Sequence, residues 1–136
     1  MTHLKQVFYL SRAVSNMSEA QVRQIQNISQ RNNRKKDITG CLLFTGAHFA
    51  QVLEGESSAV DQLVERISRD IRHANVLVVI DRSISIRRYP GWSMGFLVRL
   101  DMTDRVESLL SGRAIPQEQV IQLFDAAEPD SVLGTL

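Results

Sequence analysis

A glutamine in the middle of an apolar stretch is the first side chain that suggests chemistry. Residues 47–55 read AHFAQVLEG, a stretch with the character of a β-strand. Because side chains alternate between the two faces of a strand, Phe49, Gln51 and Leu53 should share one buried face. A buried amide without partners costs about 1–3 kcal/mol, so Gln51 must find hydrogen bonds there. We therefore expect a polar site on an otherwise apolar face of a sheet.

Three more polar side chains can reach the same place. Tyr9 alternates with Val7 in an earlier strand, and Asn32 and Asn33 stand near the end of a helix. Each has an ordinary structural explanation: a core tyrosine, a helix cap, and for Gln51 an amide satisfied by backbone or water. If they converge, however, they give an apolar slot with a few polar groups, which is the usual design of a small-ligand site. Such a slot suits a flat heteroaromatic ring with donors and acceptors on its edge.

The two helices offer the rest of such a slot. Ile25 and Ile67 are suitable contacts for the faces of a ring. The second helix ends in polar residues that could meet a phosphate tail or could equally form a solvated face: Arg66, Arg69, Asp70, Arg72 and His73. Trp92 and Met94, near the last predicted strand, are by themselves ordinary packing residues.

These positions imply an order of elements. Strands are predicted at 4–11, 37–44, 47–55, 76–86 and 92–98. One helix is predicted over about 19–31, with Ser18 and Gln21 as a capping box. A second begins at Glu56 and ends near Asn75, with an apolar stripe at helical spacing. The order β-α-β-β-α-β plus a fifth strand predicts a ferredoxin-like α+β fold, with both helices on one sheet face.

The chain changes character after residue 100. Two short amphipathic helices are predicted. Their inward-facing apolar residues would be Met102, Val106, Leu109, Val120, Ile121 and Phe124. The uncovered face of the sheet is available for them. We therefore divide the chain into a ligand-binding domain over 1–100 and a helical extension over 101–136, which would serve as a cap, an oligomerisation element or an output element.

Composition narrows the functional classes. The chain has 136 residues, 43% of them hydrophobic, and a formal net charge of +1. This composition is typical of one globular domain. A net charge so close to zero gives no strong electrostatic attraction to nucleic acid or to a membrane surface. The single cysteine, Cys41, excludes an intramolecular disulfide and a cysteine-based zinc site, and no metal is expected. The N-terminus lacks the apolar region of a signal peptide, so a cytoplasmic protein is expected.

The motifs resemble, in order and in spacing, those of the BLUF domain, a flavin-binding sensor of blue light. The resemblance covers residues 4–98. It is carried by the following segments: Tyr9-Leu10-Ser11, Asn33 with Ile38-Thr39-Gly40, Phe49-Ala50-Gln51-Val52-Leu53-Glu54-Gly55, Arg69-Asp70 with His73 and Asn75, and Gly91-Trp92-Ser93-Met94.

The resemblance implies a ligand and roles for the candidate residues. FAD would lie noncovalently between the two helices, held by Asn33 with Asn32 nearby, and surrounded by Arg66, Asp70 and His73. Tyr9 would give an electron and a proton to the excited flavin, and Gln51 would rotate or tautomerise between them. Trp92 and Met94 would respond to Gln51 and pass the change on.

The resemblance also implies a sensor without an enzyme, because 36 residues after Leu100 cannot house an effector domain. An unidentified downstream protein and a homo-oligomer are the expected partners. The alternatives are a flavin-binding module that is not photoactive, and a ferredoxin-like nucleic-acid module that uses the basic patch of Arg31, Arg34, Lys35 and Lys36. A small hydrolase would need a glycine-rich anion loop that the chain lacks. A flavin enzyme would need a substrate base that is not visible.

Overall fold

The computed structural model describes residues 3–13, 17–70, 73–112, 116–125 and 132–133. Strands lie at β1 (Leu4–Ala13), β2 (Thr39–Phe44), β3 (His48–Glu56), β4 (His73–Ile84), β5 (Gly95–Val98) and β6 (Val132–Leu133). Helices lie at α1 (Glu19–Lys35), α2 (Ser57–Ser68), α3 (Thr103–Ser111) and α4 (Gln117–Asp125), with a 3₁₀ turn at Leu100–Met102 before α3.

All six described strands form one sheet in the order β4-β1-β3-β2-β5-β6. The β2–β5 pair is parallel, and every other neighbouring pair is antiparallel. The order of the first four strands is the ferredoxin-like one, so the predicted fold is confirmed. The two-residue strand β6 was not predicted, and it pairs with β5 at the edge of the sheet.

The sheet separates two apolar cores. On one face, α1 and α2 pack through Val22 and Val60 against Val7, Tyr9 and Leu53. On the other face, the 3₁₀ turn, α3 and α4 contribute a set of buried residues that packs against Phe8 and Leu10: Met102, Val106, Leu109, Val120, Ile121, Leu123 and Phe124. Helices therefore cover both faces as predicted, and β1 presents successive side chains to different cores because a strand alternates.

Helix α1 is longer than predicted. It begins with the expected capping box, in which the Ser18 hydroxyl accepts from the Gln21 backbone N–H and the Gln21 side chain accepts from the Ser18 N–H. The helix then continues to Lys35, so Asn32 and Asn33 lie in its last turn and do not cap it. The polar run that suggested an end at residue 31 consists largely of Asn, Arg and Lys. Tertiary contacts of that turn outweigh the weak helix propensity of asparagine there.

Helix α2 is shorter than predicted. It ends at Ser68, with Arg69 as its C-cap. Asn75, which was expected to end the helix, lies inside β4 in the left-handed region with φ of +55°. Asparagine tolerates this conformation better than other residues with a Cβ, so it is suited to the irregular pairing of β4 with β1. Ile71, which falls within the predicted span of this helix, lies outside the described residues.

The last predicted strand begins later than expected. β5 starts at Gly95, so Trp92, Ser93 and Met94 precede it and are not bound to strand alternation. The Trp92 ring lies over Gly95, where a Cβ would stand 2.3 Å from a ring carbon. Met94 lies on the α1–α2 side, whereas Trp92 packs against the core on the α3–α4 side.

A buried carboxylate fixes the loop that leads to Trp92. Glu54 on β3 is fully buried and accepts from the Gln6 side chain at 2.7 Å. It also accepts from the backbone N–H groups of Arg88 at 3.0 Å and Tyr89 at 2.8 Å. Three donors thus satisfy acceptor oxygens that would be costly to bury without partners. The loop between β4 and β5 is held near its middle by this group.

A second polar cluster ties α3 to the sheet. Glu107 on α3 contacts the Arg12 guanidinium and lies 2.6 Å from Nε2 of the buried His48. The other ring nitrogen of His48 lies 3.0 Å from the Thr45 hydroxyl. The hydrogen bond from Arg12, which has the largest effect, and the one with His48 lower the pKa of Glu107 from 4.5 to about 2.

This cluster makes the protein's stability sensitive to acid. Because the folded pKa of Glu107 is depressed, its contribution is present above pH 4.5 and is lost as pH falls toward about 2. We expect Glu107→Gln to lower the thermal midpoint of unfolding at pH 7. The difference in midpoint between the variant and the unchanged protein should become smaller as the pH falls from 4.5 to 2. Thermal unfolding followed by circular dichroism across this range measures it. Glu118→Gln, at an exposed site on α4, controls for the loss of one carboxylate. A gap that stayed constant with pH would contradict the assignment.

Candidate functional site

A cleft opens between α1 and α2, above the sheet, with a cavity volume of about 130 Å³. Its floor is formed by side chains of the first three strands: Tyr9, Leu42, Phe49 and Gln51. Its walls are formed by the two helices and the residues that follow α2: Ile25, Ile28, Ser29, Asn32, Asn33, Leu63, Arg66, Ile67 and Asp70. Apolar side chains therefore line part of the floor and part of both walls, and a few polar side chains lie among them.

Tyr9 and Gln51 form the polar pair on the floor. They are direct cross-strand neighbours of β1 and β3, which places both side chains on the same face of the sheet. The Tyr9 hydroxyl donates a hydrogen bond to Oε1 of Gln51. Both residues are buried, with 1% and 5% of their surface exposed. The buried face predicted for Phe49, Gln51 and Leu53 is confirmed.

The environment of Tyr9 keeps its phenol protonated. Burial raises the pKa of Tyr9 above its ordinary range, and the nearby negative charge of Asp70 raises the pKa further. Both effects disfavour the phenolate because it would be a poorly solvated anion close to another anion. The Tyr9 proton is thus held firmly but lies in a hydrogen bond along which it can leave.

The other end of the Gln51 amide reaches Met94. Nε2 of Gln51 donates to the thioether sulfur of Met94 at 3.1 Å. Sulfur can accept but cannot donate, so the Gln51 amide fits this pair of neighbours in one orientation only. A reversed amide would place Oε1 against sulfur without a hydrogen bond. The position of Met94 is therefore sensitive to the state of Gln51.

The two asparagines differ in their surroundings. Asn32 is exposed at the rim of the cleft. Asn33 is buried, lines the cleft and donates from Nδ2 to the Ser93 carbonyl at 3.0 Å. Asn33 therefore links the cleft to the segment before β5, a contact that the sequence did not predict.

The polar residues after α2 are only partly brought together. Arg66 and Asp70 line the cleft, as do the predicted ring contacts Ile25 and Ile67. Arg69 is exposed and pairs with Glu65 along the helix, outside the cleft lining. Arg72 lies outside the described residues, and of His73 the structure describes only the backbone at the start of β4.

Trp92 lies apart from the cleft. It packs against Tyr89, with ring centroids 5.4 Å apart, on the face of the sheet that carries α3 and α4. Its backbone carbonyl accepts from the Gly40 N–H at 2.9 Å. Trp92 and Met94, predicted to act together, thus face opposite sides of the sheet.

Sequence reasoning missed two residues beside the site. Gln26 and Gln30 both donate from Nε2 to the carbonyl of Met94, at 3.1 and 3.0 Å. The signal was present in the spacing, because residues 26, 30 and 33 are amides at i, i+4 and i+7 and therefore share a helix face. We call Gln26, Gln30 and Asn33 the α1 amide stripe.

The cleft fits a flavin in its chemistry. A flat ring requires apolar contacts on both faces, which Ile25 and Ile67 on opposite walls can supply. Its edge carries carbonyls and ring nitrogens, which the amides of Asn32 and Gln51 can meet. Arg66 at the rim is a suitable partner for a phosphate. In the described ranges, no group of three or more His, Cys, Asp or Glu side chains could hold a metal ion.

Comparison with known proteins agrees with this chemistry. The family model described as sensors of blue-light using FAD matches residues 4–95. The chain is 35% identical over 115 residues to the photoactivated adenylate cyclase subunit alpha of Euglena gracilis, covering 85% of this chain and 11% of that protein. It is 35% identical over 86 residues to the blue light- and temperature-regulated antirepressor BluF of Escherichia coli, covering 62% of this chain and 21% of that protein. The chain thus spans a small part of these curated relatives.

Solved structures agree over nearly the full chain. The dark-state structure of BlrB, a BLUF protein, matches with a TM-score of 0.76 and 34% identity, covering 93% of this chain and 98% of that one. A structure of BlsA in its photo-activated state matches with a TM-score of 0.69 and 25% identity, covering 89% and 91%. As for a bilayer, no helix in the part of the chain that the structure describes is long and apolar enough to cross one.

Proposed function

The chain belongs to the BLUF family of flavin-based blue-light sensors, and from that premise we propose that its flavin is FAD and that Tyr9 and Gln51 form its light-driven switch. The observation that supports the switch best is the continuous hydrogen-bonded path from Tyr9 through Gln51 to Met94 on the floor of the cleft. It connects an oxidisable group to the backbone that leads into β5.

The residues of the cleft would hold the flavin in distinct ways. Ile25 and Ile67 would contact the ring faces, and Asn32, Asn33 and Gln51 would meet its polar edge. Arg66 would meet the phosphates, and Asp70 and His73 would lie near the side chain of the ligand. When bound, the flavin supplies the absorption of blue light and accepts the electron and proton that Tyr9 gives up.

Tyr9 would act as the donor. Its proton leaves along the hydrogen bond to Oε1 of Gln51. The electron and the proton would then return to Tyr9 while Gln51 stays altered, so no change of oxidation state would remain in the red-shifted state. Burial and the charge of Asp70 raise the pKa of Tyr9, which favours the neutral phenol at the end of the cycle.

Gln51 would keep an altered hydrogen-bonding arrangement after the light reaction. Rotation or tautomerisation changes which end of its amide donates and which accepts. The altered amide can no longer donate to Met94 in the same way, so the segment before β5 settles differently. The altered hydrogen bonding at the ligand's edge would shift its absorption without a covalent change.

The extension over 101–136 would carry the output from the domain over 1–100. Supporting this, α3 and α4 lie on the sheet face that also carries Trp92, and Glu107 joins α3 to β1 and β3. We infer that the chain acts as a sensor and not as a catalyst, and that it signals through a downstream protein or through a homo-oligomer. The cytoplasmic location stays a prediction of the sequence.

An absorption spectrum in darkness and after blue light tests the proposal first. We expect a flavin spectrum that shifts slightly to the red and recovers in darkness. Release of the ligand by denaturation, followed by chromatography against FAD and FMN, identifies the flavin. A protein that binds FMN in preference to FAD would contradict the cofactor assignment. A spectrum that bleaches or does not respond to light would contradict the switch.

A further inference from the structure

Met94 is held at both its side chain and its main chain. Its sulfur accepts from Nε2 of Gln51, and its carbonyl accepts from Gln26 and Gln30. The two lone pairs of one carbonyl oxygen are thus both used by side chains of α1. The preceding carbonyl, of Ser93, accepts from Asn33. The α1 amide stripe therefore takes up two successive carbonyls just before β5.

The position of these contacts is unusual for a helix that packs on a sheet. Gln26 is 2% exposed, at a helix position where an apolar residue would ordinarily pack. The parallel ladder between β2 and β5 begins only at Gly95, so this ladder does not extend to Met94. The α1 amides hold the 93–94 backbone at the point where the ladder to β2 ends.

We propose that Gln26 and Gln30 are positioning residues for the photocycle: they hold the Met94 carbonyl in the dark arrangement, and light releases it. The inference rests on the proposed role of Gln51. When the amide of Gln51 no longer donates to sulfur, the Met94 side chain loses its polar contact and the peptide can turn. Turning separates the Met94 carbonyl from α1. The change at Gln51 thus reaches a helix as well as the edge of the sheet.

The carbonyl of Met94 can be observed directly. Labelling the protein with methionine that carries ¹³C at its carbonyl moves the amide I bands of only four residues, because the chain has four methionines. In a light-minus-dark infrared spectrum, a labelled carbonyl gives a band only if its environment changes in light. We expect a labelled band that moves to higher frequency in light, since a carbonyl that loses hydrogen bonds stiffens.

The variants Gln26→Leu and Gln30→Leu remove the two donors. We expect the labelled light-induced band to shrink in each single variant and to be lost in the double variant, while the red shift of the flavin remains. Gln24→Leu makes the same change at an exposed position of the same helix and should leave the band unchanged. Gln30 is only partly buried, so its single variant remains informative if the double variant folds poorly.

Each outcome decides the matter. A red shift in the unchanged protein without a labelled methionine band overturns the inference and leaves the proposed function standing. A band that persists at full size in the double variant also overturns it. Absence of any red shift in the unchanged protein defeats the proposed function, and this inference with it.

Discussion

Tyr9→Phe is expected to abolish the light-induced red shift while leaving the flavin bound. Phenylalanine fills the same space in the cleft floor, but it has no hydroxyl to donate to Oε1 of Gln51 and is much harder to oxidise. Since that acceptor stays buried, we also expect a loss of about 1–3 kcal/mol in the free energy of unfolding. Absorption spectra before and after blue light measure the first effect, and urea denaturation measures the second.

The chain supplies its own control for this variant. It has two tyrosines, and the other, Tyr89, lies on the opposite face of the sheet beside Trp92. Tyr89→Phe removes a hydroxyl of the same kind without touching the cleft, so its red shift should match that of the unchanged protein. A full red shift in Tyr9→Phe would remove Tyr9 from the mechanism.

Gln51→Leu is expected to be as damaging to the photoresponse. Leucine is apolar and similar in size, so the cleft keeps its floor, but no amide remains to connect Tyr9 with Met94. Light should then produce no lasting red shift. A persistent shift in this variant would show that another group stores the light signal.

A double-mutant cycle with Tyr9→Phe tests whether the two residues act as a pair. Because each single variant leaves its partner with one hydrogen bond fewer, the double variant should be less destabilised than the sum of the two. A coupling of about 1 kcal/mol is expected for one buried hydrogen bond. Additive losses would indicate that the Tyr9–Gln51 bond contributes little to the folded state.

Alternation along single strands allowed much of this site to be predicted. It placed Gln51 beside Phe49 and Leu53, and Tyr9 beside Val7, and the structure confirms both faces. The register that sets Tyr9 directly opposite Gln51 did not follow, because it depends on how two distant strands align. A local pattern predicts which face of the sheet a side chain lies on, but it does not predict which residue of another strand lies opposite.

The errors arose where tertiary contacts outweigh local preference. Asn33 stays helical and reaches Ser93, although its neighbours suggested a helix end. Trp92 and Met94 are two residues apart, so a strand beginning at residue 92 would have placed both on one face. They face opposite cores because β5 starts only at Gly95, where the Trp92 ring needs a residue without a Cβ. Glu54 and Gln26 were passed over because their donors and acceptors come from remote segments.

The shared core under α3 and α4 sets where this sensor could be joined to another protein. Phe8 on β1 packs edge-on against Phe124 of α4, with ring centroids 5.6 Å apart, and the two helices cover the sheet face around it. A fusion junction placed right after β5 would uncover that face and create an apolar patch prone to aggregation. A light-sensing unit taken from this chain for fusion to another protein should therefore retain α4. The linker to the other protein should begin beyond that helix.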